Sequence, residues 1–182
     1  MSSGSTYTSK ALKPVDYGIL CELVKNSRLS DRQLAKILGV SQPTITRRRT
    51  FLEKERLLEY TAIPNLKKLG FDVLTLMFGK QKKEKDDDRN VEAAKAFIAK
   101  HPNVLFVSTG TGVDHDRVAI SVHKSYSDYA LYRRETVAQL AEYMDHPISF
   151  LISLQGDTML RKFTLKYLAE LIRKEHTEQK MA

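Results

Sequence analysis

The chain has 182 residues, 42% of them hydrophobic, with 30 basic against 22 acidic side chains and a net charge of +8. That is enough apolar content for one large or two small packed domains, and the single cysteine and the lack of an apolar run near the ~18 residues of a membrane span exclude a disulfide scaffold and a spanning helix. A reducing, cytoplasmic setting is expected, and the charge favours a polyanionic partner, since residues 1–70 hold 13 basic and 6 acidic residues while the remainder is nearly balanced.

Residues 1–13 form a small, polar arm that is expected to be disordered. Val15, Ile19, Leu20, Leu23 and Val24 then recur at helical spacing and predict an amphipathic helix over 14–27, with Cys21 as a buried thiol. Ser30 and Gln33 form an S-x-x-Q capping box ahead of Leu34, Ile37 and Leu38, and Gly39 offers a left-handed stop. After this short helix the stretch SQPTITRRRTFLEK, residues 41–54, predicts another: Ser41 caps it and Pro43 sits in its first turn, where the missing N–H has no intrahelical partner. Two helices, a tight turn and a basic helix follow the helix-turn-helix order, so a partner of double-stranded DNA is expected. On a helical projection Ile45 and Leu52 share the core side, while Pro43, Arg47, Thr50 and Lys54 point away. Gln42, Pro43, Thr44, Thr46 and Arg47 are the candidates for base edges, and Arg48, Arg49 and Lys54 for phosphates. The helix-turn-helix domain is placed at 14–64, its last eight residues reading as a strand or wing, with a linker at 65–70.

From residue 71 the periodicity becomes strand-like. Strands are expected over 71–79, 104–109, 117–123 and 148–155, with helices capped by Asn90 and over 126–143. The charge run at 80–90 reads as a solvated loop. The resulting β-α-β-β-α-β order over 71–156 is the ferredoxin-like pattern, in which two helices cover one face of an antiparallel sheet. The uncovered face calls for a partner, most economically a second copy of the chain. Residues 157–182 add a C-terminal helix whose stripe of Leu160, Phe163, Tyr167, Leu168, Leu171 and Ile172 is expected to pack on the protein's own domain or a sister subunit. The fold class is therefore α+β: a winged helix-turn-helix domain, a ferredoxin-like domain and an extra C-terminal helix.

With LSDRQLAKILGVSQPTITRR in the second and third helices, AIPNLKKLGFDV at the join and a βαββαβ domain beyond it, the chain resembles the Lrp/AsnC family of transcriptional regulators over residues 15–156. The resemblance implies a homodimer through the C-terminal sheets, assembled further into tetramers or octamers, that binds pseudo-palindromic DNA. It also implies an amino acid or related small molecule as effector near the loop between the second and third strands, here Thr109, Gly110, Thr111, Gly112, Asp114 and Asp116. In that loop glycine N–H groups suit a carboxylate and the aspartates an ammonium, although glycines and aspartates between strands serve equally as hairpin chemistry. The chain departs from the family at Arg49, where an aliphatic residue is usual. No catalytic constellation stands out: the five histidines make no close-spaced metal motif, and neither enzyme activity nor a metal or cofactor is expected. Two alternatives remain, an architectural protein that coats DNA with little sequence preference and a sirohaem-decarboxylase-like enzyme on the same fold.

Overall fold

The computed structural model describes residues 12–82, 87–156 and 159–179, so nearly all of the expected N-terminal arm and residues 83–86 of the charge run lie outside it. In chain order the elements are α1 (Pro14–Lys25), α2 (Asp31–Leu38), α3 (Gln42–Lys54), β1 (Val73–Gly79), α4 (Asp87–Ala99), β2 (Val104–Gly112), β3 (His115–His123), α5 (Tyr126–Leu140), β4 (Ile148–Ser153) and α6 (Leu168–Gln179). They divide into two compact units, one of residues 1–62 with 162–182 and one of residues 63–161.

In the first unit α1, α2 and α3 enclose Ile19, Leu23, Leu34, Ile45 and Leu52, the four-residue spacing of Ile19 and Leu23 and the seven-residue spacing of Ile45 and Leu52 both matching the helical period. Leu12, Leu38, Phe51, Leu57 and Leu58 close over this core. The C-terminal helix α6 belongs to the same unit. It packs on the side of α1 away from Ile19, where Ala169 is buried and its carbonyl accepts from the Cys21 thiol at 3.3 Å. The expected stripe differs in detail: Leu160 and Phe163 precede the helix and are exposed, as are Leu168 and Leu171, because the small Ala169 is the residue that lets two helix backbones approach. Burial at this contact pushes the Cys21 thiol pKa up.

The expected strand over 57–64 carries no ladder hydrogen bonds. Leu57 donates to the Leu52 carbonyl at 2.9 Å, and the chain then runs without regular structure to a single 3-10 turn at Lys67–Leu69. A strand needs a neighbour for its N–H and C=O groups, and among the described residues none lies beside this segment. Residues 65–70, read as a linker, are part of the second unit, and Gly70 ends the turn at φ +82°, a left-handed conformation.

The second unit is an antiparallel sheet of order β2-β3-β1-β4, the ferredoxin-like arrangement. Helix α4 starts three residues before Asn90, since Asp87 to Asn90 contain neither proline nor glycine to stop it. On the helix-covered face Met77 packs with Phe97, Tyr129, Tyr132, Val104, Ala119 and Leu140. The register places Leu76, Phe150 and Ile120 side by side on the opposite face, with Leu74 and Ile152, then Phe78, Ile148 and Val118, along the same strands. Phe106 of β2 joins this row beside Ile120. Much of that surface is open to solvent, Phe150 at 64% and Phe106 at 51%.

His123 is fully buried on the covered face, 2.9 Å from the Ser121 hydroxyl, beside the Asn103 amide and between the Tyr129 and Tyr132 rings, with the Asp128 carboxylate 3.9 Å away. Burial lowers its pKa, with Asp128 opposing. A depressed folded pKa means that the unfolded chain binds the proton first. The stabilisation is thus complete above the ordinary histidine value of 6.5 and is lost as pH falls below it, with a slope of at most ~1.4 kcal/mol per pH unit. Urea unfolding followed by circular dichroism at stepped pH should show this decline, and His123→Gln should flatten it. An equal slope in the variant would assign the titration elsewhere.

Candidate nucleic-acid interface

The α2-turn-α3 element is built by local signals. Ser30 accepts from the Gln33 N–H while the Gln33 side chain takes the Ser30 N–H at 2.8 Å, a reciprocal box that starts α2. Gly39 ends it at φ +67°, in the left-handed region that a side chain resists. Ser41 then caps α3, its hydroxyl accepting from the Thr44 N–H at 3.4 Å and meeting the Thr44 hydroxyl at 2.8 Å.

Ile45 and Leu52 anchor the inner face of α3, and Gln42, Pro43, Thr46, Arg47, Thr50 and Lys54 are exposed, with Thr44 half-buried. Among the described residues Arg47 and Lys54 make no ion pair, so their charges stand free on the outer face. The Thr46 hydroxyl donates to Asp31 at 2.7 Å.

The two neighbouring arginines are placed differently from expectation. Arg48 forks onto Asp16 of α1, its Nε donating at 2.6 Å and its Nη2 to the second carboxylate oxygen, and its guanidinium lies 4.3 Å from the centre of the Phe51 ring. Asp16 is completely buried and also accepts from the Lys13 N–H at 2.5 Å. Arg49 donates to the Leu29 carbonyl at 3.0 Å, Asp31 at 3.1 Å, Glu53 at 3.2 Å and the Tyr60 hydroxyl at 2.7 Å. Neither guanidinium is a free cation for phosphate, because each is held by carboxylates of its own unit. Asp16, Asp31, Glu53 and Tyr60 are thus parts of the site that the sequence reading missed. Asp16 had left a signal, an acid three residues before Ile19 on the apolar stripe of α1, where a charge needs a buried partner.

Of the two forms open for the β2–β3 connection, a glycine loop and a hairpin, the structure has the hairpin: β2 runs beyond the expected Thr109 through Gly112, and Val113 and Asp114, at φ +48° and +57°, form a two-residue turn. Gly110 and Gly112 do not have left-handed φ values, and the ladder is irregular between Thr109 and Gly112, across Gly110 and Thr111. Asp114 receives the Lys80 ammonium at 2.8 Å on both oxygens, and Asp116 accepts the Gln81 N–H at 3.0 Å. Among the described residues no His, Cys, Asp and Glu cluster has the geometry to hold a metal ion, and no helix is long and apolar enough to cross a membrane.

Residues 12–59 match a family model described as winged helix-turn-helix DNA-binding. The HTH-type transcriptional regulator LrpC of Bacillus subtilis is 33% identical over 96 residues, covering 52% of this chain and 63% of that protein. An uncharacterised HTH-type transcriptional regulator of Pyrococcus abyssi is 30% identical over 118 residues, covering 64% of this chain and 76% of its own length. Among solved structures, that of LrpC superposes with a TM-score of 0.66 at 24% identity over 82% of this chain and 99% of LrpC. A Neisseria meningitidis transcriptional regulator in complex with L-Met superposes with a TM-score of 0.71 at 20% identity over 84% of this chain and 94% of its own, a likeness of fold.

Proposed function

The chain belongs to the Lrp/AsnC family of transcriptional regulators, and on that premise we propose that it binds duplex DNA sequence-specifically through α3. The observation that carries this reading is the division of labour along α3. A polar first turn of Gln42, Pro43, Thr44 and Thr46 stands beside the free Arg47, while Arg48 and Arg49 lock the helix to α1 and α2. A helix held by ion pairs on its inner and lateral faces presents its outer face in one orientation, which base readout requires. Arg47 meets base edges or phosphates and Lys54 phosphates. The wild-type protein should therefore enrich a defined motif from a random duplex library, whereas an architectural coating protein would enrich none. Arg47→Ala should weaken the enriched site by about 1–3 kcal/mol if the side chain reads a base, and weaken all duplexes alike with a salt slope shallower by about one if it meets phosphate. Unchanged affinity in both titrations would remove Arg47 from the interface.

The second element of the proposal is assembly. The open sheet face bears Phe106, Ile120, Leu76 and Phe150 in one row, and a second copy of the same face buries it by two-fold symmetry. Paired recognition helices then read paired half-sites. An amino acid or related molecule acts as effector beside the β2–β3 hairpin at Thr109, Gly110, Thr111, Gly112, Asp114 and Asp116, and its ammonium must displace Lys80 to reach Asp114. The L-Met complex of the Neisseria regulator supports this class of ligand. Repeating the duplex selection with and without an amino-acid mixture tests it, and a motif and affinity indifferent to the mixture would exclude the effector.

A further inference from the structure

Between α3 and the end of its unit the chain has few attachments. Leu57 and Leu58 pack on the three-helix core, and from Glu59 to Pro64 every residue is exposed. Among the described residues, the hydrogen bonds that tie this exposed stretch back to the helix-turn-helix run through the side chain of Tyr60. Its hydroxyl donates to Glu53 at 2.8 Å and accepts from Arg49 at 2.7 Å, with the Arg49 guanidinium 5.1 Å from the ring centre. Arg49 in turn holds Asp31 and the Leu29 carbonyl at the start of α2. Burial, and after it the bond to Glu53, push the Tyr60 pKa up to about 12, so the hydroxyl keeps its proton and remains a donor across the physiological range. The exit chain is therefore fastened to the DNA-reading element itself, and the fastening depends on an arginine at a position where an aliphatic side chain would merely pack.

We propose that Tyr60 is a positioning residue for DNA recognition: by clasping the exit chain to Arg49 and Glu53 it shortens the first of the two chain segments that join the helix-turn-helix unit to the second unit, the other being the return to α6, and so narrows the range of half-site spacings that a dimer accepts. This rests on the dimeric DNA-binding reading above. With Tyr60 fastened, the connector starts at Thr61; with Tyr60 released, it starts after Leu58, two residues earlier. Two extended residues span about 7 Å, which is about two base-pair steps. The clasp does not touch DNA in this scheme. It acts through reach, and its loss leaves the contacts of α3 with a single half-site in place.

The test uses the full chain and the motif enriched by the wild-type protein. Duplexes carrying one half-site are titrated beside duplexes carrying two, with the spacing stepped by single base pairs. Tyr60→Ala should bind the single half-site within about twofold of wild type, while its spacing profile widens by about two base pairs on either side and its peak affinity falls as the longer connector dilutes the second head. Tyr60→Phe, which keeps the ring and loses only the hydroxyl, should fall between the two. A sharp wild-type profile retained by both variants overturns the inference and leaves the regulator reading standing. A matched loss of single-site binding in both variants also overturns it, since Tyr60 would then serve the reading head rather than its reach. A wild-type protein with no preference for paired half-sites removes the dimeric reading and the inference together.

Discussion

Asp16→Ala is expected to destabilise the helix-turn-helix unit by about 3–5 kcal/mol, the scale for removing one partner of a buried ion pair. Asp16 is fully buried and the Arg48 side chain is 12% exposed, so solvent screens little of the loss. The variant strands a guanidinium between α1 and Phe51 and frees the Lys13 N–H that Asp16 had accepted. Urea unfolding followed by circular dichroism should show the first unit melting early, with DNA affinity lost in step with the folded fraction. The double variant Asp16→Leu with Arg48→Met should recover most of the stability, because two apolar side chains need no compensation where one charge does. A single variant within ~1 kcal/mol of wild type would mean that Arg48 swings to solvent, and would return it to the list of phosphate contacts.

Phe150→Asp is expected to dissociate the proposed dimer. Phe150 lies in the row with Leu76, Ile120 and Phe106, and in a two-fold interface each substitution occurs twice. Removing one aromatic anchor costs about 2 kcal/mol or more, so the pair costs about 4 kcal/mol, roughly a thousandfold in the dimer constant. The fold should survive, since the side chain already faces solvent in the single chain at 64% exposure. Sedimentation equilibrium across nanomolar to micromolar protein measures the shift. A wild-type protein that sediments as a single chain at micromolar concentration would contradict the covered-sheet reading, and a variant as tightly paired as wild type would move the interface off this face. Arg47→Ala, by comparison, leaves assembly unchanged and alters only the DNA titration.

Features carried by local chemistry were legible in the sequence. The capping box at Ser30 and Gln33, the stop at Gly39, the cap at Ser41 and the inward pair Ile45 and Leu52 each depend on residues a turn or two apart, and each occurs where the spacing places it. The alternation along β1 and β4 likewise gave the strand order its elements, and the ferredoxin-like arrangement followed from their succession. The hairpin was harder to read: the glycines left a loop and a tight hairpin both open, and pairing with β3 drew β2 through Gly112 and left the turn to Val113, a β-branched residue that resists a left-handed backbone, and Asp114.

Three adjacent arginines show where such reading stops. By itself the sequence determined that they lie on one helix, one turn beyond a polar cap, and that Arg47 points away from Ile45 and Leu52. Only the tertiary structure decided that Arg48 belongs to Asp16, 32 residues earlier, and Arg49 to Asp31 and Tyr60, and that α6 closes on α1 from the far end of the chain. The physical reason is that a helix sets the direction of a long cationic side chain but not its partner. Whether that charge meets a carboxylate or a phosphate depends on which segments packing brings within reach, and no periodicity encodes that.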